Sequence, residues 1–312
     1  MTKQETDSDA AGWDNWLECR NMNSDEVCQV VDIWKEHGMI QGEDNVKKFF
    51  EVDPEGFFVT VDKRTGQVVA TCACVRQNPS LFFLGQYAVR KRLQGQGVGP
   101  RLWKFMEHRL GDCNAGLCTT PNSLPMYRDK AGLPHVESWT TIVYRASTVT
   151  PERLPTPPDD LRVVSIDEAL MPKVIAYDAL VHGYERGRMI SLTMADGKGI
   201  SRAVIRRQGG DDVICGFGKI SSNNSQGAVV GPIYARDREV AAVLLRNLVE
   251  NKPEARVMVA MFVPNCNRDA CSIAEDLGLT EGVTLPRCFR KEGVALRLEL
   301  VYAQHDANFC VA

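Results

Sequence analysis

Apolar side chains at Val27, Val30, Val31 and Trp34 recur every three to four residues behind Ser24-Asp25-Glu26. This spacing predicts a helix over Ser24 to His37, with the Ser-Asp-Glu opening as N-cap and first turn. Three apolar, strand-like runs follow, at Phe57 to Val61, Gln67 to Val75 and Leu81 to Val89. Val98, Leu102, Met106 and Leu110 then repeat at four-residue intervals, which gives a helix whose apolar stripe must face a sheet. A short strand at Ala115 to Thr119, a short helix at Leu124 to Lys130 and a strand at Ser138 to Arg145 close this half. Strands that precede and alternate with helices predict an α/β fold, an α+β mixed sheet covered on both faces.

From Ser147 to Asp160 the periodicity stops and four prolines fall between Pro151 and Pro158, a pattern that reads as a stiff linker. Beyond it the later part of the order returns. Ala228 to Ala235 reads as a strand, Arg238 to Val249 as a helix, Arg256 to Phe262 as a strand, Asn267 to Leu277 as a helix and Leu296 to Ala303 as a strand. Val89 to Gly132 and Ala235 to Gly278 are the same length, so an internal duplication is inferred. The expected domains are 1–146, a proline-rich linker 147–160, and 161–312.

Composition narrows the function classes. The 312 residues carry 37 Lys+Arg against 40 Asp+Glu, a formal net charge of -3, which provides no overall basic field for nucleic acid or a membrane surface. The polar, acidic amino terminus lacks the pattern of a secretory signal, and no apolar run approaches the length of a membrane span. Eleven cysteines, an odd number, are scattered singly through apolar segments, as buried thiols would be, and predict a reduced, cytoplasmic protein. Cys72/Cys74, Cys113/Cys118 and Cys266/Cys271 lack C-x-x-C spacing and paired histidines, so no metal site is expected.

The segment that carries chemistry is Tyr87 to Arg101, Y-A-V-R-K-R-L-Q-G-Q-G-V-G-P-R, where a strand runs through three alternate glycines into an amphipathic helix. Helix amino ends present unpaired N–H groups and partial positive charge, and Gly95, Gly97 and Gly99 lack the Cβ atoms that would block close approach. Pro100 suits a first helical turn. The expected ligand is a phosphate or pyrophosphate. A dinucleotide fingerprint would need glycine where Pro100 stands, and neither Gly197-Lys198-Gly199 nor Gly218-Lys219-Ile220 completes a P-loop.

Val89 through Gly99, V-x-x-x-x-Q-G-x-G-x-G, resembles the acyl-CoA pyrophosphate loop of the GNAT N-acetyltransferase superfamily, with core Gln/Arg-x-x-Gly-x-Gly/Ala; Gln94, Gly97 and Gly99 hold the defining places. The resemblance extends over about Trp16 to Arg145. The second half resembles the degenerate GNAT domain of a YitH/HolE-like group through Tyr177-Asp178, Gly183-Tyr184-Glu185-Arg186, Gly231-Pro232-Ile233-Tyr234-Ala235 and Val263-Pro264-Asn265. Its counterpart of the loop, Tyr234 to Glu239, has no glycine and two carboxylates that would repel a pyrophosphate, so one cofactor site per chain is expected.

The resemblance implies an acetyl-CoA-dependent N-acetyltransferase in which a primary amine, a small molecule for preference, attacks the thioester directly. Cofactor contacts are expected from Tyr87, Ala88, Val89, Gln94, Gly95, Gln96, Gly97, Val98, Gly99 and Asn122, with an N–H near Ala88 or Val89 polarising the thioester carbonyl. Tyr127 resembles the family's tyrosine acid for the departing thiolate, although five residues separate it from Gly132 where the family has four. No carboxylate or histidine stands on Leu81 to Val89 to act as base; His135, Glu137, His182 and Glu185 are the candidates elsewhere. Arg90-Lys91-Arg92 reads as a solvated surface facing the coenzyme phosphates, with Arg92 or Arg101 a candidate for the 3'-phosphate. The expected partners are a small-molecule amine, no nucleic acid and no membrane, in a monomer or homodimer. Two other functions fit the same residues: acetylation of a protein amino terminus or lysine, and a non-catalytic acyl-CoA sensor.

Overall fold

The computed structural model describes residues 16–195 and 197–312, so most of the polar amino-terminal stretch lies outside the described residues. Chain contacts divide the protein into two compact units, residues 1–113 and 114–312. The division falls well before the proline-rich segment that sequence patterning marks as the boundary.

The first unit is a meander of four antiparallel strands, β1 (Leu17–Asn21), β2 (Phe57–Asp62), β3 (Gln67–Asn78) and β4 (Leu81–Val89), paired in chain order. Three helices accompany them: α1 (Val27–Glu36), α2 (Glu43–Val52) and α3 (Val98–Leu110). The predicted stripe Val98, Leu102, Met106 and Leu110 is buried, as are Val30, Ile33 and Trp34 of α1. The cap in front of α1 falls one residue earlier than expected: Ser24–Glu26 form a 3-10 turn capped by Asn23, which donates its N–H to Glu26, whose carboxylate also receives Arg20 at 2.6 Å. Sequence patterning passed over β1 and α2, the latter because only Val46 and Phe49 of its ten residues are buried.

The second unit begins with β5 (Asn114–Cys118), α4 (Leu124–Lys130), β6 (His135–Val136) and β7 (Thr141–Ala146). It continues with β8 (Leu161–Ser165), α5 (Met171–His182), α6 (Gly187–Ala195), β9 (Ile200–Gln208), β10 (Asp211–Ser222), β11 (Ala228–Ala235) and α7 (Arg238–Glu250). The last elements are β12 (Val259–Pro264), α8 (Arg268–Asp276), β13 (Thr280–Leu285), β14 (Arg287–Phe289) and β15 (Val301–Ala303). From β8 to β12 the succession strand, two helices, three strands, helix, strand repeats that from β1 to β5, so the duplication covers the whole fold rather than only its later half.

The copies trade their closing strands. β7 does not close the first copy's sheet; it lies between β12 and β13, in the order β13-β7-β12-β11-β10-β9-β8. In return β14, from the second copy, pairs with β5 on one side and β6 on the other. The proline-rich segment, read as a stiff linker, packs on the second copy: Leu154 is buried in that core, its carbonyl receives Arg246 at 2.6 Å, and Thr150 donates to Leu277. Most of the predicted strand Leu296 to Ala303 is a single 3-10 turn and loop, with only Val301–Ala303 extended.

The β14 exchange is held by side chains as well as backbone. Gly116 faces Phe289, and a Cβ there would collide with the aromatic ring. Arg287 is fully buried; its Nε donates to Glu137 at 2.8 Å, its Nη2 to the Val311 carbonyl at 2.8 Å, and its guanidinium lies 4.1 Å from the centre of the Trp139 ring. Truncation would leave Glu137 unpaired and would deprive two segments, 137–139 and the one that holds Val311, of their common partner. Arg287→Ala should therefore destabilise the protein by about 3–5 kcal/mol, measured by denaturant unfolding, whereas removal of an exposed pair such as Arg128–Asp129 should change stability by less than about 1 kcal/mol.

Candidate active site

β4 is irregular where it approaches α3. Its register against β3 runs Gly85 to Ala73 and then Ala88 to Thr71, so Gln86 and Tyr87 together oppose Cys72. This is a β-bulge, the device that re-aims a strand near a site. Gln86 has φ +53, in the left-handed region that disfavours a side chain, and is 2% exposed. Neither atom of its amide has a hydrogen-bond partner. Each unpaired buried polar atom costs about 1–3 kcal/mol, and the backbone conformation adds about 1–2 kcal/mol.

Beyond the bulge Arg90 donates its N–H to Val69 of β3, so by alternation along an antiparallel pair the Val89 N–H points away from β3 and that of Ala88 towards it. Of the two predicted oxyanion donors, Val89 has the outward geometry. The Val89 carbonyl is already used: His37 Nε2 donates to it at 2.8 Å and Gln94 Nε2 at 3.3 Å. Sequence reading missed His37, which no local pattern connects to the strand.

Gly95 and Gly97 sit at φ +75 and +81 with open space where a side chain would be, and Gly97 is the N-cap of α3. Arg101 N–H to the Gly97 carbonyl is the first bond of the helix, which leaves the Val98 and Gly99 amides without intrahelical acceptors. Gly99 answers to a different constraint, since a Cβ there would collide with the Tyr87 hydroxyl. Tyr87 packs edge-on to Trp103 at 5.4 Å, and burial raises its hydroxyl to about 12, so it stays neutral. Gln96 folds back onto the Arg92 carbonyl, while Gln94 joins the loop to Val89. Contacts thus link Tyr87, Val89, Gln94 and Gly99 into one continuous segment of the first unit.

The neighbouring charges are not all solvated, as the basic run had suggested. Arg90 is committed to the fold, donating to the Val68 carbonyl and to Glu36 at 2.7 Å. Burial pushes the Glu36 carboxyl up, but the Lys91 amide and Arg90 outweigh it and hold the group below its usual range. With Lys91 and Arg92, which are exposed, these residues and Gln67 line an open cavity of about 360 Å³.

The other candidates belong to the second unit. Asn122 is exposed in the turn before α4, and Tyr127 is buried on that helix. His135 is exposed on β6 and Glu137 is held by Arg287; both line a second cavity, of about 620 Å³, with Trp139 and Gly293. His182 is buried in a network with Tyr234, Asp178 and Arg186, and desolvation, then the Arg186 charge, lowers its pKa, so it stands there as a neutral structural imidazole. Glu185 is exposed. Among the described residues no three His, Cys, Asp or Glu side chains are grouped to hold a metal ion. All eleven cysteines are free; Cys28 and Cys266 are exposed rather than buried.

The second copy closes the equivalent places with its own atoms. Asp237 caps α7, accepting the Val240 N–H at 2.9 Å, so a carboxylate occupies the anion position. β11 and β12 run parallel only from Ala228–Val259 to Val230–Met261 before they part. β15 enters the gap: it pairs with Ile233 and Tyr234 of β11, and Gln304 N–H bonds to Phe262 of β12. Gly231 permits the approach, because a Cβ would meet the Gln304 carbonyl. The segment that follows is buried, including Phe309, Cys310 and Val311.

The Tyr87–Gly99 contact can be tested separately from any activity. Gly99→Ala should destabilise the first unit by about 1–3 kcal/mol through overpacking. Adding Tyr87→Phe should recover part of that loss, read as a positive coupling in a double-mutant cycle by thermal unfolding.

Comparison with known proteins identifies the fold and the family. Residues 16–132 match the model of the Acetyltransferase (GNAT) family and residues 174–303 that of an Acetyltransferase (GNAT) domain. No curated protein sequence matches the chain. Among solved structures, a putative acetyltransferase from Pyrococcus horikoshii superposes with TM-score 0.72 at 17% identity, over 94% of this chain and 96% of the other. A tandem GNAT protein from the clavulanic acid biosynthesis pathway gives TM-score 0.62 at 14% identity, over 88% and 98%. Saccharomyces cerevisiae N-myristoyltransferase with bound myristoyl-CoA gives 0.57 at 13%, over 93% and 89%. With both copies matched and the fold shared along nearly the full chain, the protein belongs to the GNAT acetyltransferase superfamily and carries two GNAT domains in tandem.

Proposed function

We propose that the protein is an acetyl-CoA-dependent N-acetyltransferase acting on a small primary amine, with a single coenzyme site at the β4–α3 loop. The observation that carries this reading is Gly97, a left-handed N-cap with open space around it, which delivers the amides of Val98 and Gly99 to a helix amino end. That cradle fits a diphosphate, since backbone donors, the helix dipole and the absence of Cβ atoms act together. The α7 amino end in the second copy has no such opening, because Asp237 fills it.

The coenzyme supplies an acyl group activated as a thioester. Gly95 to Gly99 would hold its diphosphate, and Lys91 and Arg92 add positive charge on the same side. The Val89 N–H, directed away from β3, would donate to the thioester carbonyl as charge develops on it, an interaction that strengthens in the transition state. The amine attacks directly, so the chain contributes alignment and proton transfer instead of a nucleophile. Tyr127 is assigned as the acid for the departing thiolate, and Asn122 as a coenzyme contact.

Gly97→Ala should weaken acetyl-CoA binding at least tenfold by calorimetry while changing the melting temperature only slightly, because the strain is that of one residue at positive φ. An acetylation screen across small amines, reading release of the free CoA thiol, tests the reaction. Tyr127→Phe should lower turnover at least tenfold with coenzyme affinity unchanged, and an equal rate removes it from the mechanism. Tight coenzyme binding without turnover on any amine would favour a sensor, and turnover only on peptides a protein acetyltransferase.

A further inference from the structure

Gln86 combines a buried, unpartnered amide with a left-handed backbone, which packing and backbone preference do not account for. It is the one amide in the otherwise apolar and aromatic strand Leu81 to Val89, it sits at φ +53 in the bulge, and it is 2% exposed with both Oε1 and Nε2 unpartnered. A Met or Leu would fill a comparable space without burying unsatisfied polar atoms, and a glycine would take the backbone conformation without strain. A position that breaks the rules of both packing and backbone preference is expected where function imposes the residue.

Its place on the strand says which function. Gln86 stands three residues before Val89, whose outward N–H is the proposed thioester donor, and one before Tyr87, whose hydroxyl is turned to Gly99 at the start of α3. With Gln86 itself in a left-handed backbone conformation, the separation is less than the span of three extended residues, about 10 Å, a distance that a glutamine side chain and one amine or water can bridge. A carboxamide offers one acceptor and two donors and does not titrate near neutrality.

We propose that Gln86 is a positioning residue for the acceptor, its carboxamide oxygen receiving an N–H of the incoming primary amine, directly or through one water, and so orienting the nitrogen lone pair towards the acyl carbon. The inference rests on the acetyltransferase reading above and adds to it the group that aligns the nucleophile. Gln86 removes no proton. The amine forms the new C–N bond, the C–S bond breaks, and the proton lost by nitrogen passes to solvent or to a base elsewhere.

The test is Gln86→Met together with Gln86→Glu in the full chain. For Gln86→Met the expected result is a melting temperature equal to or above that of the wild type, an unchanged acetyl-CoA dissociation constant, and kcat/KM for the amine lowered at least tenfold. Gln86→Glu restores an acceptor of the same shape and should recover activity above that of Gln86→Met, with a new acidic limb in the pH–rate profile that the wild type lacks. Wild-type kinetics in Gln86→Met would overturn the proposal. A melting temperature lowered in both variants, with losses in coenzyme binding and turnover in parallel, would overturn it in favour of a packing role. If the wild type binds acetyl-CoA but acetylates no amine, the acetyltransferase reading itself fails, and this inference fails with it.

Discussion

The demand that buried backbone N–H and C=O groups find partners governs this structure more than any single side chain does. Two parallel strands that part after three residue pairs, as β11 and β12 do, leave amides and carbonyls on both inner edges. In the second copy β15 fills the opening, and Gly231 lets its backbone close in. The same demand is met by exchange at the copies' closing edges, where β7 completes the second copy's sheet and β14 pairs β5 with β6. Neither exchanged strand is long, so the pairing relies on side chains that lock it. Arg287 binds Glu137, Trp139 and Val311 at once, which explains how an arginine can be fully buried in a strand of three residues.

The consequence for function is an asymmetry between copies built from the same element order. At one strand-to-helix junction the chain spends three glycines and leaves donors open; at the other it spends an aspartate and closes them. Helix N-capping normally favours Asp, Ser, Thr or Asn, which satisfy the orphan amides locally. Gly97 gives up that local gain, roughly a few tenths of a kcal/mol, and leaves the amides without a side-chain cap. Asp237 takes the gain, and its copy gives up the site. In the second copy the equivalent places are filled by protein: the Asp237 carboxylate stands at the α7 amino end, and β15 lies where β11 and β12 part.

Much of this was legible in the sequence, and the exceptions have physical causes. The α3 stripe, β4 and the glycine loop are local patterns, and local patterns survive into the structure unchanged. The hairpin of β9 and β10 also had a local signal, Gly209-Gly210 with both glycines at positive φ, between runs that were not read as strands. Which sheet receives β7 was not legible, because Thr141 to Tyr144 are buried on both faces of the strand and any buried sheet would accept such a run. β14 is too short to show a period. In the proline-rich segment the prolines interrupt the periodicity, but they do not forbid Leu154 from packing into a core, a contact that no period marks.

Gln86 shows the complementary limit. A polar residue in the run Leu-Phe-Phe-Leu-Gly-Gln-Tyr-Ala-Val is visible in the sequence, but periodicity assigns it only a face of a strand. The bulge changes its meaning, because two residues facing one remove Gln86 from the ladder's ordinary alternation. Only then does the side chain become a buried amide with nothing to bond. The proposed site sits where local rules are broken at a cost the rest of the fold can carry: the open cap at Gly97, the left-handed backbone of Gln86, and the outward amide of Val89 between them. The three lie within twelve residues on one strand and the turn it feeds. A rigid meander behind them and the buried stripe of α3 beside them hold the departures from regular structure in place, and so let a small segment keep hydrogen-bonding groups unspent.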